Sequence, residues 1–100
     1  MPGPARAEKK YEAGGQWNHC MREGPHNGGV RITNGCTEHL TVTWRDPRSG
    51  MGAMDLMPGK SWDVDRPPVG GFAVCRWTFA PVDAQDRPWN GTGKFRCIGS

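Results

Sequence analysis

Four cysteines set the tightest limit on what this chain can fold into. Cys20, Cys36, Cys75 and Cys97 are spread over 100 residues, of which glycine supplies 15, proline 9, and only 35% are hydrophobic. A chain this short buries a modest core, and a composition this rich in glycine and proline verges on disorder. An even number of cysteines in such a chain reads as a disulfide framework, which offsets the lean core by restricting the unfolded state, by about 2–4 kcal/mol per bridge. Disulfides persist in oxidising compartments, so the expected location is extracellular or periplasmic. The opening Met1-Pro2-Gly3-Pro4-Ala5-Arg6-Ala7 has no apolar run of the kind a secretion signal needs, which fits a mature chain whose signal peptide has been removed. No segment approaches the length of a transmembrane helix.

The apolar pattern argues for strands. Leu40, Val42 and Trp44 alternate with Thr41, Thr43 and Arg45, the period-two signature of a half-buried strand. Val30 and Ile32 mark a strand over 29–33, and Asn34-Gly35 signals a tight turn after it. Asp46-Pro47-Arg48-Ser49-Gly50 is a turn. The run 51–57 is ambiguous, because Met51, Met54 and Met57 recur as in a helical turn while Met54 and Leu56 also suit a strand. Trp62 and Val64 share a face of a short strand over 61–65. A long strand is expected over 72–80, a polar loop over 81–93, and a last strand over 95–98. Residues 1–16 read as a flexible N-terminal arm that Tyr11 and Trp17 could pin to the body. About six strands with regular turn punctuation give the expected fold class: all-β, a small disulfide-stapled antiparallel sandwich or barrel spanning 17–100. The runs 32–36, 40–44 and 56–61 resemble short secreted β-sandwich modules in general.

Four cysteines allow three connectivities. Antiparallel pairing of the last two strands would set Cys75 opposite Cys97, with Trp77 and Phe95 neighbours on one buried face. That favours Cys75–Cys97 with Cys20–Cys36. The competing set is Cys36–Cys75 with Cys20–Cys97.

Candidate sites follow from residues the core pattern does not use. Trp44 and Trp77 share strand faces with aliphatic residues or cysteine and read as core. Trp89 stands in the polar loop beside Pro88, Asn90 and Gly91, where binding residues concentrate, and a flat ring can stack on the apolar face of a sugar. Its alternative is a lid folded over one end of the core. Arg31, Thr33, Thr41, Thr43, Arg45, Arg76, Thr78 and Arg96 fall opposite the apolar face, and arginine forks suit acidic groups. The candidate ligand-binding residues are therefore Trp89, Asn90, Arg87, Arg45 and Arg76. A zinc set of Cys20, His26, Cys36 and His39 is a further possibility. The methionines offer a soft-ion site, and Asn90-Gly91-Thr92 matches a glycosylation acceptor. Asp63 and Asp65 lie on one strand face as an isolated acidic pair.

No nucleophile elbow, zinc-hydrolase helix or dinucleotide loop is present, so neither catalysis nor a cofactor is expected. The net charge of +3 is too mild to demand nucleic acid or a membrane as partner. The expected function is a non-catalytic secreted binding module for a glycan or cell-envelope component. The alternatives are a protein-binding inhibitor or toxin-like effector that uses the 81–93 loop as a wedge, and a small zinc-binding domain. Intact mass should rise by about four hydrogens on reduction, the mark of two disulfides; an unchanged mass would show four free thiols.

Overall fold

The computed structural model describes residues 8–99. The first part of the expected N-terminal arm, residues 1–7, lies outside the described residues, as does residue 100. Nine strands are present among the described residues: β1 (Lys10–Ala13), β2 (Met21–His26), β3 (Gly29–Asn34), β4 (Leu40–Asp46), β5 (Gly50–Leu56), β6 (Ser61–Val64), β7 (Phe72–Arg76), β8 (Ala80–Val82) and β9 (Arg96–Gly99). They form three antiparallel sheets with orders β2-β3-β6, β5-β4-β7 and β1-β9-β8, and the described residues contain no helix. The all-β, disulfide-stapled sandwich expected from the pattern is what forms, with more and shorter strands than expected.

The first two sheets face each other across the main core. Ile32 and Val64 from one sheet meet Leu40, Val42, Trp44, Leu56 and Val74 from the other, and all seven are buried. Each fully buried aliphatic side chain here contributes roughly 1.5–3 kcal/mol. The alternation in β4 is the reason it is central: Leu40, Val42 and Trp44 are buried while Thr41 and Thr43 are only half-buried. The ambiguous methionine run is a strand, because β5 pairs with β4 residue for residue from Gly50 to Leu56. Met51 and Met54 therefore point to opposite faces, and no soft-ion cluster of three thioethers assembles.

Two expectations about connection are corrected. The long strand over 72–80 breaks after Arg76, where Phe79 N–H donates to the Arg76 carbonyl at 2.9 Å and Thr78 takes φ of 74°. A β-branched residue in that region costs on the order of 1–2 kcal/mol, and the turn it makes sends the chain from the second sheet into the third. Consequently β7 pairs with β4 and β9 pairs with β1 and β8, so β7 and β9 are not neighbours in a ladder. Cys75 still bonds Cys97 with Cα atoms 5.7 Å apart, and Cys20 bonds Cys36 at 5.0 Å. The expected pairing is thus present, but Cys75–Cys97 joins two sheets rather than two paired strands. Trp77 and Phe95 are not neighbours on a buried face: Trp77 is 51% exposed and stacks on His39, while Phe95 packs on Trp89.

The N-terminal segment is held as the two aromatic residues suggested. Within it β1 pairs with β9, the Tyr11 hydroxyl donates to Asp86 at 2.8 Å, and the Arg96 guanidinium lies 4.3 Å over the Tyr11 ring. Trp17 is buried in the main core.

The turn expected at Asn34-Gly35 does not join paired strands, since β3 pairs with β2 and β6 and not with β4. The fully buried Asn34 side chain donates to the carbonyls of Glu38 and Leu56, both at 2.8 Å, and accepts from Cys36 N–H at 2.9 Å. Its backbone N–H donates to Lys60 and its carbonyl accepts from Gly59. An alanine here would strand two buried backbone groups, Leu56 C=O and Cys36 N–H, at about 1–3 kcal/mol each, and a part-buried one, Glu38 C=O. Asn34→Ala is expected to lower unfolding free energy by about 3 kcal/mol or more in urea titration, and a loss below about 1 kcal/mol would show that the side chain is not the stitch described.

Candidate functional site

The five residues expected to bind ligand do not converge. Trp89 is 5% exposed, its ring tilted against Phe95 at 5.6 Å and its Nε1–H donating to the Gly93 carbonyl at 3.3 Å. It forms the lid that was its alternative reading, with no open ring face. Arg45 and Asn90 do meet, through an Arg45 Nη1 donor on the Asn90 carbonyl at 3.3 Å. Arg87 lies apart, on Asp83 and Gln85. Arg76 bonds Glu12 at 2.7 Å and Glu38 at 3.5 Å and lies over the Trp17 ring. It pairs across from Leu40, so about 16 Å of strand separates its row from that of Arg45.

The single threonine and arginine face does not form either. Arg31 and Thr33 belong to the first sheet, and Thr41, Thr43 and Arg45 to the second. On β7 the residues level with Thr41 and Thr43 are Cys75 and Ala73, both buried. The zinc set is overturned by the disulfide, which consumes the thiols of Cys20 and Cys36. His26 instead contacts Arg31 and Asp63. No group of three metal-ligating side chains exists among the described residues.

A different constellation forms where the two facing sheets end in the edge strands β5 and β6. A groove of about 200 Å³ opens there, lined by Trp44, Asp46, Ser49, Gly50, Gly52, Trp62, Asp63, Val64 and Asp65. Trp62 pairs directly with the buried Ile32 and so shares the core-side face. Being on an edge strand, it keeps 40% of its surface exposed. Trp44 pairs with Gly52 and lays its indole over that glycine: a Cβ there would stand 2.8 Å from the ring and 3.2 Å from Nε1. Trp44 is thus nine-tenths buried; the indole nitrogen buried without a partner among the described residues is that of Trp17, not of Trp44.

Asp46 and Asp63 are held ionised. Asp46 accepts from Ser49 N–H at 2.9 Å, Arg48 N–H at 2.8 Å and the Arg66 guanidinium at 3.1 Å. These bonds, the backbone ones foremost, keep its carboxyl well below the usual range. The Arg31 fork does the same for Asp63, through bonds of 2.7 and 3.0 Å. Asp65 is exposed just past β6. No lysine or arginine lines the groove. The volume is below the roughly 300 Å³ at which drug-sized pockets begin, which suits one small ring. An indole face stacks on such a ring's C–H surface, and Asp46, on the same face of β4 as Trp44, offers a carboxylate that accepts hydrogen bonds from its hydroxyls.

Sequence reasoning placed Trp44 in the core, noted Trp62 only as a strand residue, and set aside Asp63 and Asp65 as a lone pair. The signal that unites them is a Trp-x-Asp at the end of β4 (44–46) and a Trp-Asp-x-Asp run along and just past β6 (62–65), together with the bare Gly52. No protein-family model, curated protein or solved structure matches the chain. Among the described residues no helix is long and apolar enough to cross a membrane. The class these features define is a disulfide-stapled β-sandwich with an aromatic and acidic groove at its open edge.

The depressed carboxyls carry a pH signature. Asp46 and Asp63 are joined by Asp83, lowered chiefly by the Arg87 N–H, and Asp86, lowered chiefly by the Tyr11 hydroxyl. A carboxyl whose folded pKa lies below its unfolded value adds stability above that unfolded value, about 3.9, and loses it as pH falls through the folded one. The melting temperature is expected to be nearly flat from about pH 8 to 5 and to fall progressively below about pH 4. A midpoint constant down to about pH 2 would contradict these bonds.

Proposed function

We propose that this protein is a non-catalytic binding module that takes a sugar ring of a glycan or cell-envelope component in the groove between β5 and β6. The observation that carries the reading is a half-exposed indole, Trp62, beside a nine-tenths-buried one, Trp44, at a groove whose lining holds aspartates and no basic residue. Sugars match that set, because each hydroxyl both donates and accepts while the ring offers an apolar face. Two disulfides in a small all-β domain are compatible with life outside the cytoplasm, where such ligands are displayed. The 81–93 loop favours this reading over a wedge that inserts into a protein partner. It folds back on itself through Trp89 N–H to the Pro81 carbonyl and Asp83 N–H to the Arg87 carbonyl.

The test is a glycan array followed by calorimetry on the ligands it selects. Losing a stacking ring costs about 0.5–1.5 kcal/mol beyond its buried area, so Trp62→Ala should weaken binding at least tenfold. Gly52→Val, which pushes a side chain into the Trp44 indole, should do the same. Trp77→Ala, far along the sheet, should bind as wild type. Equal affinity for wild type and Trp62→Ala, with the fold intact by circular dichroism, would defeat the assignment.

A further inference from the structure

The free edges of the three sheets are not protected alike. We infer that β5 is a self-pairing edge, on which a second copy of this chain docks antiparallel about a two-fold axis at Ala53. In an antiparallel ladder the N–H and C=O of one residue point to the same neighbouring strand, and successive residues alternate. The carbonyl of His39, just before β4, accepts from Trp77 N–H at 3.0 Å, and that of Arg45 from Val69 N–H at 2.9 Å. Trp77 continues β7 and Val69 leads into it, so the odd positions of β4 turn to β7 and the even ones to β5. The register runs from Leu40 opposite Leu56 to Asp46 opposite Gly50. Gly50, Gly52, Met54 and Leu56 therefore bond to β4, and the backbone groups of Met51, Ala53 and Asp55 point away from it. β5 ends its sheet, and those outward groups have no backbone partner among the described residues.

Every other edge is blunted by a device that keeps sheets from pairing with strangers. β2 contains Pro25, β8 is three residues around Pro81, and β1 and β6 are short and carry Lys10 and Asp63. Along β7 the Arg76 carbonyl accepts from Phe79 N–H, and the Cys97 sulfur covers that of Val74 at 3.5 Å. β5 by contrast runs for seven residues without proline, lysine or arginine. Its one carboxylate, Asp55, accepts from the Thr41 hydroxyl of β4 at 2.8 Å and so leans away from the edge. A second copy is the occupant that this strand fits. Centred on Ala53, the pairing uses its whole length: Ala53 faces its own counterpart, Met51 the partner's Asp55, and Gly52 the partner's Met54. Each outward residue then exchanges its N–H and C=O bonds with the residue opposite. No like charges meet across the seam. Asp55 lies two strand spacings, about 10 Å, from the partner's Arg45 in the same row, and the two attract. Met51, 47% exposed in the single chain, is covered. Such an isologous contact closes at two copies. The pairing stands independently of what the groove binds.

The experiment is sedimentation equilibrium of the full chain and of variants at exposed positions of β5. One strand pair makes a small interface, so the dimer should dissociate in the micromolar range, on the order of 1–100 μM. Ala53→Lys, at an exposed position, sets two ammonium groups directly opposite each other at the two-fold axis and should weaken association at least tenfold. Met51→Lys, also exposed, sets its ammonium opposite the partner's Asp55 and should associate at least as tightly as wild type. Both variants add the same charge to the same face, so the difference between them reports the register and not net charge. Ala53→Cys should form a covalent dimer on mild oxidation, since opposed Cα atoms about 5.5 Å apart lie within disulfide reach. A wild-type chain still monomeric at about 1 mM would overturn the pairing. So would a dimer that the two lysine variants weaken alike, or that neither of them weakens.

Discussion

The hydrogen bonds of one buried asparagine hold the two halves of this sandwich in register. Asn34 ends β3 in the first sheet, and its amide reaches the carbonyls of Glu38 and Leu56, which lead into β4 and end β5 in the second. Its backbone closes on Gly59 and Lys60, which lead into β6. In a core of modest size, a polar group with all its partners specifies one arrangement of the sheets, whereas any alternative leaves several backbone groups unpaired in an apolar setting. The Cys20–Cys36 bridge lies directly beside it and removes unfolded conformations that would separate the same segments.

That stitch also explains where the groove lies. β5 runs toward Asn34 and ends at Leu56, while β6 runs away from it, starting at Ser61. The sheets are tied at one end, and their edge strands are free at the other, some 13 Å along β5 at Gly52. There the interior is closed by Trp44 lying over a glycine, not by an aliphatic pair. The second disulfide has a separate task. By joining Cys75 to Cys97 it fastens the third sheet onto the outer face of β7, and the Trp89 lid covers the end of that smaller core. The strained turn at Thr78 is the connection that makes this third layer reachable from β7, and it leaves Trp77 displayed on His39.

What was legible in the sequence was whatever depended on local pattern. The strand at 40–46 could be read because its alternation is strict and its buried residues, Leu40, Val42 and Trp44, are all large and apolar. The disulfide pairing was also anticipated, though the ladder used to argue for it does not exist. Pairing of distant strands escaped, because period-two alternation says which face a residue takes and nothing about which strand lies beside it. Asn34-Gly35 carries the chemistry of a tight turn, yet here the asparagine side chain serves as a backbone surrogate between sheets, a role set by Leu56, 22 positions away. Trp77 and Trp89 exchanged their expected places for the same reason. A break at Thr78 that no glycine or proline announces put the first into solvent, and the packing of Phe95 drew the second inside. The groove could not be read locally at all, since it exists only where β5 and β6 come to lie edge to edge.

Edge strands offer a competing account of the acidic residues. Free backbone groups on β5 and β6 invite pairing with another chain, and charged side chains on an edge blunt that risk. Asp63 and Asp65 serve that purpose whatever else they do. Edge protection, however, calls for charge directed outward along the strand and is satisfied by lysine as well as by aspartate. It accounts neither for two indoles meeting at the same opening nor for a glycine kept bare beneath one of them.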